Sequence, residues 1–231
     1  MVVWGLGLLI TTAFFLLILA STAIDSTGSY AHSLGRLWSR VMLSLAGVRV
    51  SITGVENLPK EGPVILASNH QGAFDIPALQ GYVPVQFRWI AKKSLFKIPI
   101  IGWSMRLSGY IPVERERASK ALRSIEEASK KIKGGTSVLI FPEGTRSPKD
   151  ELLPFKRGSF LLAVKSGVPI VPVSIRGTRE ILKKGGFLIK PASVTIVLGK
   201  PIPTEGLREA DLLSRTRDAI EASYNGSKRI A

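Results

Sequence analysis

An α/β domain, built on a mostly parallel or mixed sheet flanked by helices and preceded by an N-terminal membrane-associated helical pair, is what this sequence predicts. Three observations carry that prediction. Short apolar runs alternate with amphipathic stretches from residue 49 to residue 224, the pattern of buried strands joined by covering helices. Residues 1–24 hold no charged side chain. The length of 231 residues suits one such domain with an extra element and is enough to bury a core.

The first apolar segment, residues 1–24, is long enough for a helix of about 30 Å, the thickness of a bilayer's hydrocarbon core. Ala20, Ser21 and Ala23 suggest a cleavable signal as the rival reading. No Lys or Arg precedes the apolar run, as a secretory signal would require, so a retained membrane element is expected. Hydropathy leaves open whether it crosses the bilayer or enters one leaflet and returns. Residues 30–48 have helical periodicity, with His32, Arg36 and Arg40 on one face and Leu34, Leu37, Trp38, Val41, Met42 and Leu45 on the other. That is the pattern of a helix lying among lipid headgroups, an ordinary surface helix being the alternative. Arg36 and Arg40 favour a cell-membrane location with the domain C-terminal to them on the cytoplasmic face. Residues 1–48 are therefore read as the anchoring unit and 49–231 as the α/β domain.

Within the second unit, 50–52 alternates like a strand, 56–62 is a turn-rich link, and 63–67 is a short apolar strand. Residues 76–82 suit a helix with Pro77 tolerated in its first turn, and 86–91 reads as a strand ending in Lys92-Lys93. Residues 95–108 are apolar enough to wall a cavity, rest on a membrane or serve as core. A clear amphipathic helix comes next at 118–133, with Leu122, Ile125, Ala128 and Ile132 as its stripe and Gly134-Gly135 ending it. Strands are expected at 137–141, 169–175 and 193–198, and helices at 158–166 and 207–224.

Lys and Arg number 32 against 17 Asp and Glu, a formal net charge of +15, so the partners are anionic. Scattered basic residues, high apolarity and the lack of a zinc-finger or RNP pattern argue against nucleic acid. With no cysteine, a thiol nucleophile and any cysteine-bound zinc are excluded.

Four stretches carry the chemistry. Ser68-Asn69-His70-Gln71-Gly72-Ala73-Phe74-Asp75 follows the strand at 63–67, so an imidazole and a carboxylate meet across a glycine-containing loop. Asp75 can then accept the Nδ1 proton and leave Nε2 as a base. Phe141-Pro142-Glu143-Gly144-Thr145-Arg146-Ser147 also follows a buried strand, and its tight turn offers backbone N–H groups, a hydroxyl and a guanidinium that suits phosphate. Glu143 could orient that arginine or bond a substrate hydroxyl. Gly109-Tyr110-Ile111-Pro112-Val113-Glu114-Arg115 ends in a possible second phosphate contact, Arg115, and Val168-Pro169-Ile170-Val171-Pro172-Val173 looks structural. Read singly, each of these has an ordinary structural explanation.

Together and in this order they resemble the signature blocks of the glycerolipid acyltransferases, the lysophosphatidic acid acyltransferase type, over roughly residues 54–177. Residues 70–75 match a His-x4-Asp block and 141–146 a Phe-Pro-Glu-Gly-Thr-Arg block. The second block departs at Pro112 and Glu114, so only Arg115 carries over. The resemblance implies acyl transfer from an acyl-ACP or acyl-CoA thioester to the 2-hydroxyl of lysophosphatidic acid, giving phosphatidic acid. It implies His70 and Asp75 as catalytic, and Arg146, Glu143, Gly144, Thr145, Lys92 and Arg115 as substrate-binding. No metal and no cofactor are expected, only the thioester as co-substrate, and an anionic membrane surface as partner. The alternative within the family is glycerol 3-phosphate or another lysophospholipid as acceptor.

Overall fold

A computed structural model describes residues 2–114, 118–183 and 185–226. The strands are β1 (Arg49–Thr53), β2 (Ile65–Ser68), β3 (Arg88–Lys92), β4 (Ile111–Val113), β5 (Val138–Ile140), β6 (Ile170–Arg176) and β7 (Ser193–Leu198). The helices are α1 (Val2–Ser21), α2 (Ser29–Leu45), α3 (Asp75–Tyr82), α4 (Ile101–Leu107), α5 (Ala118–Lys133), α6 (Arg157–Ser166), α7 (Thr178–Ile181) and α8 (Glu209–Gly226). They form one mixed α/β layer structure around a seven-stranded sheet of order β1-β7-β6-β2-β5-β3-β4. Every neighbouring pair is parallel except β6 with β7.

Strand alternation splits the core in two. Leu66, Leu139, Val171 and Val173 turn to one face, where Leu43 of α2 and Ala78 and Leu79 of α3 cover them. Ile65, Ala67, Val138, Ile140 and Ile170 turn to the other, against Ala128 and Ile132 of α5, Phe160 of α6, and Leu212 and Ile220 of α8. This two-sided burial is why the central strands read as unbroken apolar runs rather than as alternating ones.

Two elements were not legible in the sequence. β4 is a three-residue edge strand in which Pro112 is exposed, a position where a missing N–H costs no ladder bond. α7 is a single turn opened by Gly177 at φ 93°, too short for any periodicity.

The expectation for the second helix needs correction. α2 forms, with Asp25 accepting the N–H groups of Thr27 and Tyr30 at 2.8 Å each at its start. Its His32, however, is fully buried, edge-on to Phe87 and beside Gln80, and Arg40 Nε donates to the Gly81 carbonyl at 2.8 Å. His32 is thus taken up by packing against α3 and Phe87, while Arg36 stays half-buried and Arg40 exposed. An imidazole is flat and apolar enough to pack when neutral, which periodicity does not reveal.

α1 lies along the body of the protein. Trp4 Nε1 donates to the Phe187 carbonyl at 2.7 Å, Trp38 Nε1 donates to Thr11 Oγ1 at 3.1 Å, and Phe15 meets Trp103 of α4 at 6.0 Å between rings. Leu6, Leu8, Leu9, Leu16, Leu17 and Leu19 are left exposed. The apolar segment at 95–108 thus becomes a 3-10 turn and α4, beside α1, with Phe96 buried and Leu95, Ile98, Ile101 and Trp103 exposed.

Candidate active site

β2 and β5 are parallel neighbours, Ile65 opposite Val138 and Ala67 opposite Ile140, so the loops that follow them leave the same end of the sheet. This brings residues 69–75 and 141–147 together as the sequence expects. They are joined by two hydrogen bonds, one to a side chain and one between backbones: the His70 N–H donates to Glu143 Oε1 at 2.7 Å, and the Ser147 N–H donates to the His70 carbonyl at 2.8 Å.

His70 Nδ1 lies 2.6 Å from Asp75 Oδ2. The same oxygen accepts the N–H groups of Gln71 at 2.6 Å and Gly72 at 2.9 Å, while Thr178 Oγ1 donates to Asp75 Oδ1. Asp75 is wholly buried and the His70 side chain is 13% exposed, so only one edge of the imidazole reaches solvent. Phe141 stacks on that ring at 3.9 Å and 8° between planes, and Trp89 backs Phe141 at 5.5 Å. Stacking and the Asp75 contact together fix both plane and tilt of the imidazole.

Two further contacts hold the loop. Asn69 mimics a strand residue, its amide donating to the Ile175 carbonyl at 2.9 Å and its oxygen accepting the Ile175 N–H at 2.8 Å. Gly72 lies so close to α7 that an added Cβ would sit 3.0 Å from the Thr178 carbonyl, so a side chain there would press on the turn that carries Thr178. The Gln71 amide reaches the Tyr224 hydroxyl of α8, which donates to Asp150 Oδ1. Burial, with the Asp150 carboxylate alongside, raises the Tyr224 hydroxyl above its ordinary value, so it stays a donor.

The residues expected at the substrate fall in three positions. Arg146 and Thr145 are exposed at the rim beside the His70 loop, and Gly144 turns the chain at φ 73° with Lys156 packed over it. Lys92 is exposed at the end of β3, two strands from β2 in the sheet. Glu143 lies beneath the rim and is only 2% exposed, its second oxygen accepting the Leu153 N–H at 3.0 Å. Burial raises its carboxyl above the ordinary range, while the His70 and Leu153 N–H groups pull it down. Its carboxylate ties loops together and does not pair with Arg146 among the described residues. Arg115 lies outside the described residues.

An apolar cavity of about 240 Å³ adjoins the site, walled by Ile125 and Ala128 of α5, Leu162 of α6, Ile90, Ile140 and Phe141, with Gly144 and Lys156 at its polar side. Phe141 separates it from His70, touching both.

Thr178, Tyr224 and Lys156 escaped the sequence reading. Thr178 reaches Asp75 only because β6 is the other parallel neighbour of β2, with Ser68 opposite Val173. The adjoining Arg179 holds the second loop through the carbonyls of Pro148 at 2.7 Å and Ser147 at 3.0 Å. No local spacing signals these contacts.

The Acyltransferase family model matches residues 49–176. A chloroplastic 1-acyl-sn-glycerol-3-phosphate acyltransferase of Brassica napus is 35% identical over 199 residues, covering 85% of this chain and 56% of its own. A 1-acyl-sn-glycerol-3-phosphate acyltransferase of Saccharomyces cerevisiae is 37% identical over 191 residues, covering 80% and 63%. The chain thus spans a little over half the length of the curated relatives it matches. The crystal structure of the 1-acyl-sn-glycerophosphate acyltransferase PlsC from Thermotoga maritima superposes with a TM-score of 0.80 at 29% identity, covering 98% of each chain.

Proposed function

The chain belongs to the acyltransferase family, and we propose that it transfers a fatty acyl group from an acyl thioester to the 2-hydroxyl of lysophosphatidic acid, giving phosphatidic acid. The thioester is carried by acyl carrier protein or coenzyme A. The observation that carries this reading is the joining of the His70–Asp75 pair to the Gly144–Thr145–Arg146 rim at one end of the sheet. The relatives' names, which give 1-acyl-sn-glycerol-3-phosphate acyltransferase for those proteins, support the acyl transfer and its acceptor.

The acceptor hydroxyl is a weak nucleophile until its proton is removed. His70 Nε2, on the edge not used by Asp75, takes that proton as the oxygen attacks the thioester carbon. The resulting oxyanion collapses, the C–S bond breaks, and the departing thiolate takes the proton back from the imidazolium. With no cysteine in the chain and the acceptor itself as nucleophile, the acyl group passes directly. The N–H groups of Gln71 and Gly72 are committed to Asp75, so the oxyanion donor is sought elsewhere near the first turn of α3.

Arg146, with Thr145 and Gly144 and with Lys92 from β3, grips the acceptor's phosphate and aims its hydroxyl. Arg115 is assigned to the same phosphate on the family resemblance alone. The cavity behind Phe141 takes acyl chain along its aliphatic wall of Ile90, Ile125, Ile140 and Leu162, with Glu114, Lys156 and Ser159 at its polar side. No cofactor enters the reaction.

Residues 1–48 serve as the anchoring unit and 49–231 as the acyltransferase domain, on the cytoplasmic face of a membrane. α1 is long and apolar enough to cross a bilayer. Its contacts through Trp4, Thr11 and Phe15 hold it against the domain along its length, which supports a helix lying in one leaflet with its leucines in lipid.

The test is turnover by detergent-solubilised protein with radiolabelled lysophosphatidic acid, glycerol 3-phosphate and lysophosphatidylcholine, each with both donors. Lysophosphatidic acid should be preferred. His70→Ala and Asp75→Ala should lose about 10²-fold or more in kcat, and Arg146→Ala should act mainly by raising the acceptor KM. Equal use of the choline lysophospholipid, or product formation that survives His70→Ala, would sink the proposal.

A further inference from the structure

The loop between α7 and β7 stands out because its two most exposed large side chains are adjacent and apolar: Phe187 is 83% exposed and Leu188 71%. The loop is not loose at its base. The Lys190 N–H donates to the Ile181 carbonyl at 2.9 Å, the Gly186 N–H donates to the Lys183 carbonyl at 2.8 Å, and Ile189 packs on the core. Its tip is also held to α1 through the Trp4 indole on the Phe187 carbonyl. Two adjacent large apolar groups held outward by a tied loop, and joined to the exposed face of α1, form the kind of contiguous apolar patch that marks an interaction surface.

We propose that this loop is a further membrane contact, separate from the helical pair, in which Phe187 and Leu188 enter the acyl-chain region of an anionic leaflet and Lys183 and Lys190 meet its headgroup phosphates. The inference rests on the membrane reading of α1 and deepens it. Three observations select lipid as the occupant. The Trp4 bond makes the patch continuous with the exposed leucine face of α1 that begins at Leu6 and Leu8. Exposed lysines flank the apolar tip on both sides, the arrangement that suits acyl chains beneath and phosphates around. A tryptophan whose N–H is bonded while its ring stays partly exposed joins the two surfaces, as is usual at a membrane interface.

The position gives the contact a purpose. β6 runs parallel to β2, so the loop leaves the sheet at the end where His70 sits, and α7 at its base carries Thr178, bonded to Asp75. Seating the tip in the leaflet sets the height of that end of the sheet above the lipid. A change in the depth of the headgroup plane would otherwise move the acceptor hydroxyl relative to the base.

The chain has no cysteine, so Phe187→Cys provides a single site for an environment-sensitive fluorophore. The full chain is mixed with vesicles of phosphatidylcholine and phosphatidylglycerol, and emission and iodide quenching are read. Glu205→Cys serves as the control; it is exposed and follows Ile202, which bridges to Ile170 at the opposite end of β6. The expected result is a blue shift and a several-fold loss of iodide quenching at 187 on vesicle binding, with none at 205. In parallel, the Phe187→Ser/Leu188→Ser double variant should partition several-fold less onto vesicles at an unchanged melting temperature. A bound protein whose 187 label stays as quenchable as the 205 label overturns the loop contact and leaves the reading of α1 standing. Unmodified chain that ignores the vesicles altogether overturns both.

Discussion

Asp75 receives four donors on its two oxygens, and only one of them, His70, was legible in the sequence. The five-residue spacing across a glycine-bearing loop announces the His70–Asp75 pair because both partners are local. Thr178 is 103 positions further along and becomes a neighbour only through the pairing of β2 with β6. Its hydroxyl is the sole donor to Asp75 Oδ1 among the described residues, so it holds the carboxylate that holds the imidazole; it is a positioning residue. A hydrogen bond to a charged group is worth roughly 1.5–3 kcal/mol. Thr178→Val, nearly isosteric, should therefore lower kcat by about 10- to 100-fold with little change in the acceptor KM, and Thr178→Ser should restore most of it. In an Asp75→Asn background the Val substitution should cost almost nothing more. Full additivity of the two losses in that cycle would show that Thr178 acts on something other than Asp75.

At the scale of elements, helix periodicity located α2, α5, α6 and α8 well and the apolar runs located the central strands, since each of these buries one face over several residues. The burial of His32 in α2 was not legible from that periodicity, and its consequence is a pH dependence. His32 is packed between α2, α3 and β3, and burial, with Arg88 and Arg36 adding like charge, lowers it from 6.5 to about 3. The folded protein thus keeps this imidazole neutral while the unfolded chain protonates it near its ordinary value. Above pH 6.5 His32 contributes no pH dependence; as pH falls from there towards 3, stability is lost at up to about 1.4 kcal/mol per pH unit. Glu143, raised by burial, runs in the opposite sense but is present with or without His32. Melting temperatures in detergent at pH 7.5, 6 and 5 should fall more steeply for the natural sequence than for His32→Gln. Parallel slopes would mean that His32 is protonated in place.

For the whole molecule, alternation of strands and helices implied a mixed or parallel sheet, while the order β1-β7-β6-β2-β5-β3-β4 and the single antiparallel pair were beyond reach. Strand order depends on which distant faces bury one another, and no residue within a strand records it. Net charge, by contrast, is a property of the chain as written: +15 gives a long-range attraction to anionic surfaces whatever the fold. Under the membrane reading proposed for α1, its apolar contact is short-range and nearly indifferent to salt, so the two contributions to association separate by ionic strength. Each Lys or Arg close to an anionic leaflet adds about 1 kcal/mol, and the Debye length shrinks from about 10 Å at 0.1 M salt to about 3 Å at 1 M. Flotation with vesicles containing phosphatidylglycerol should therefore show binding falling at least about tenfold between 0.05 and 0.5 M salt, several such charges being screened together. Binding to pure phosphatidylcholine vesicles, weaker at low salt, should change by less than about twofold, because the leucine face of α1 carries it. If both vesicle types respond alike, the excess of positive charge is not directed at the membrane, and the phosphates of the acyl donor become its principal partner.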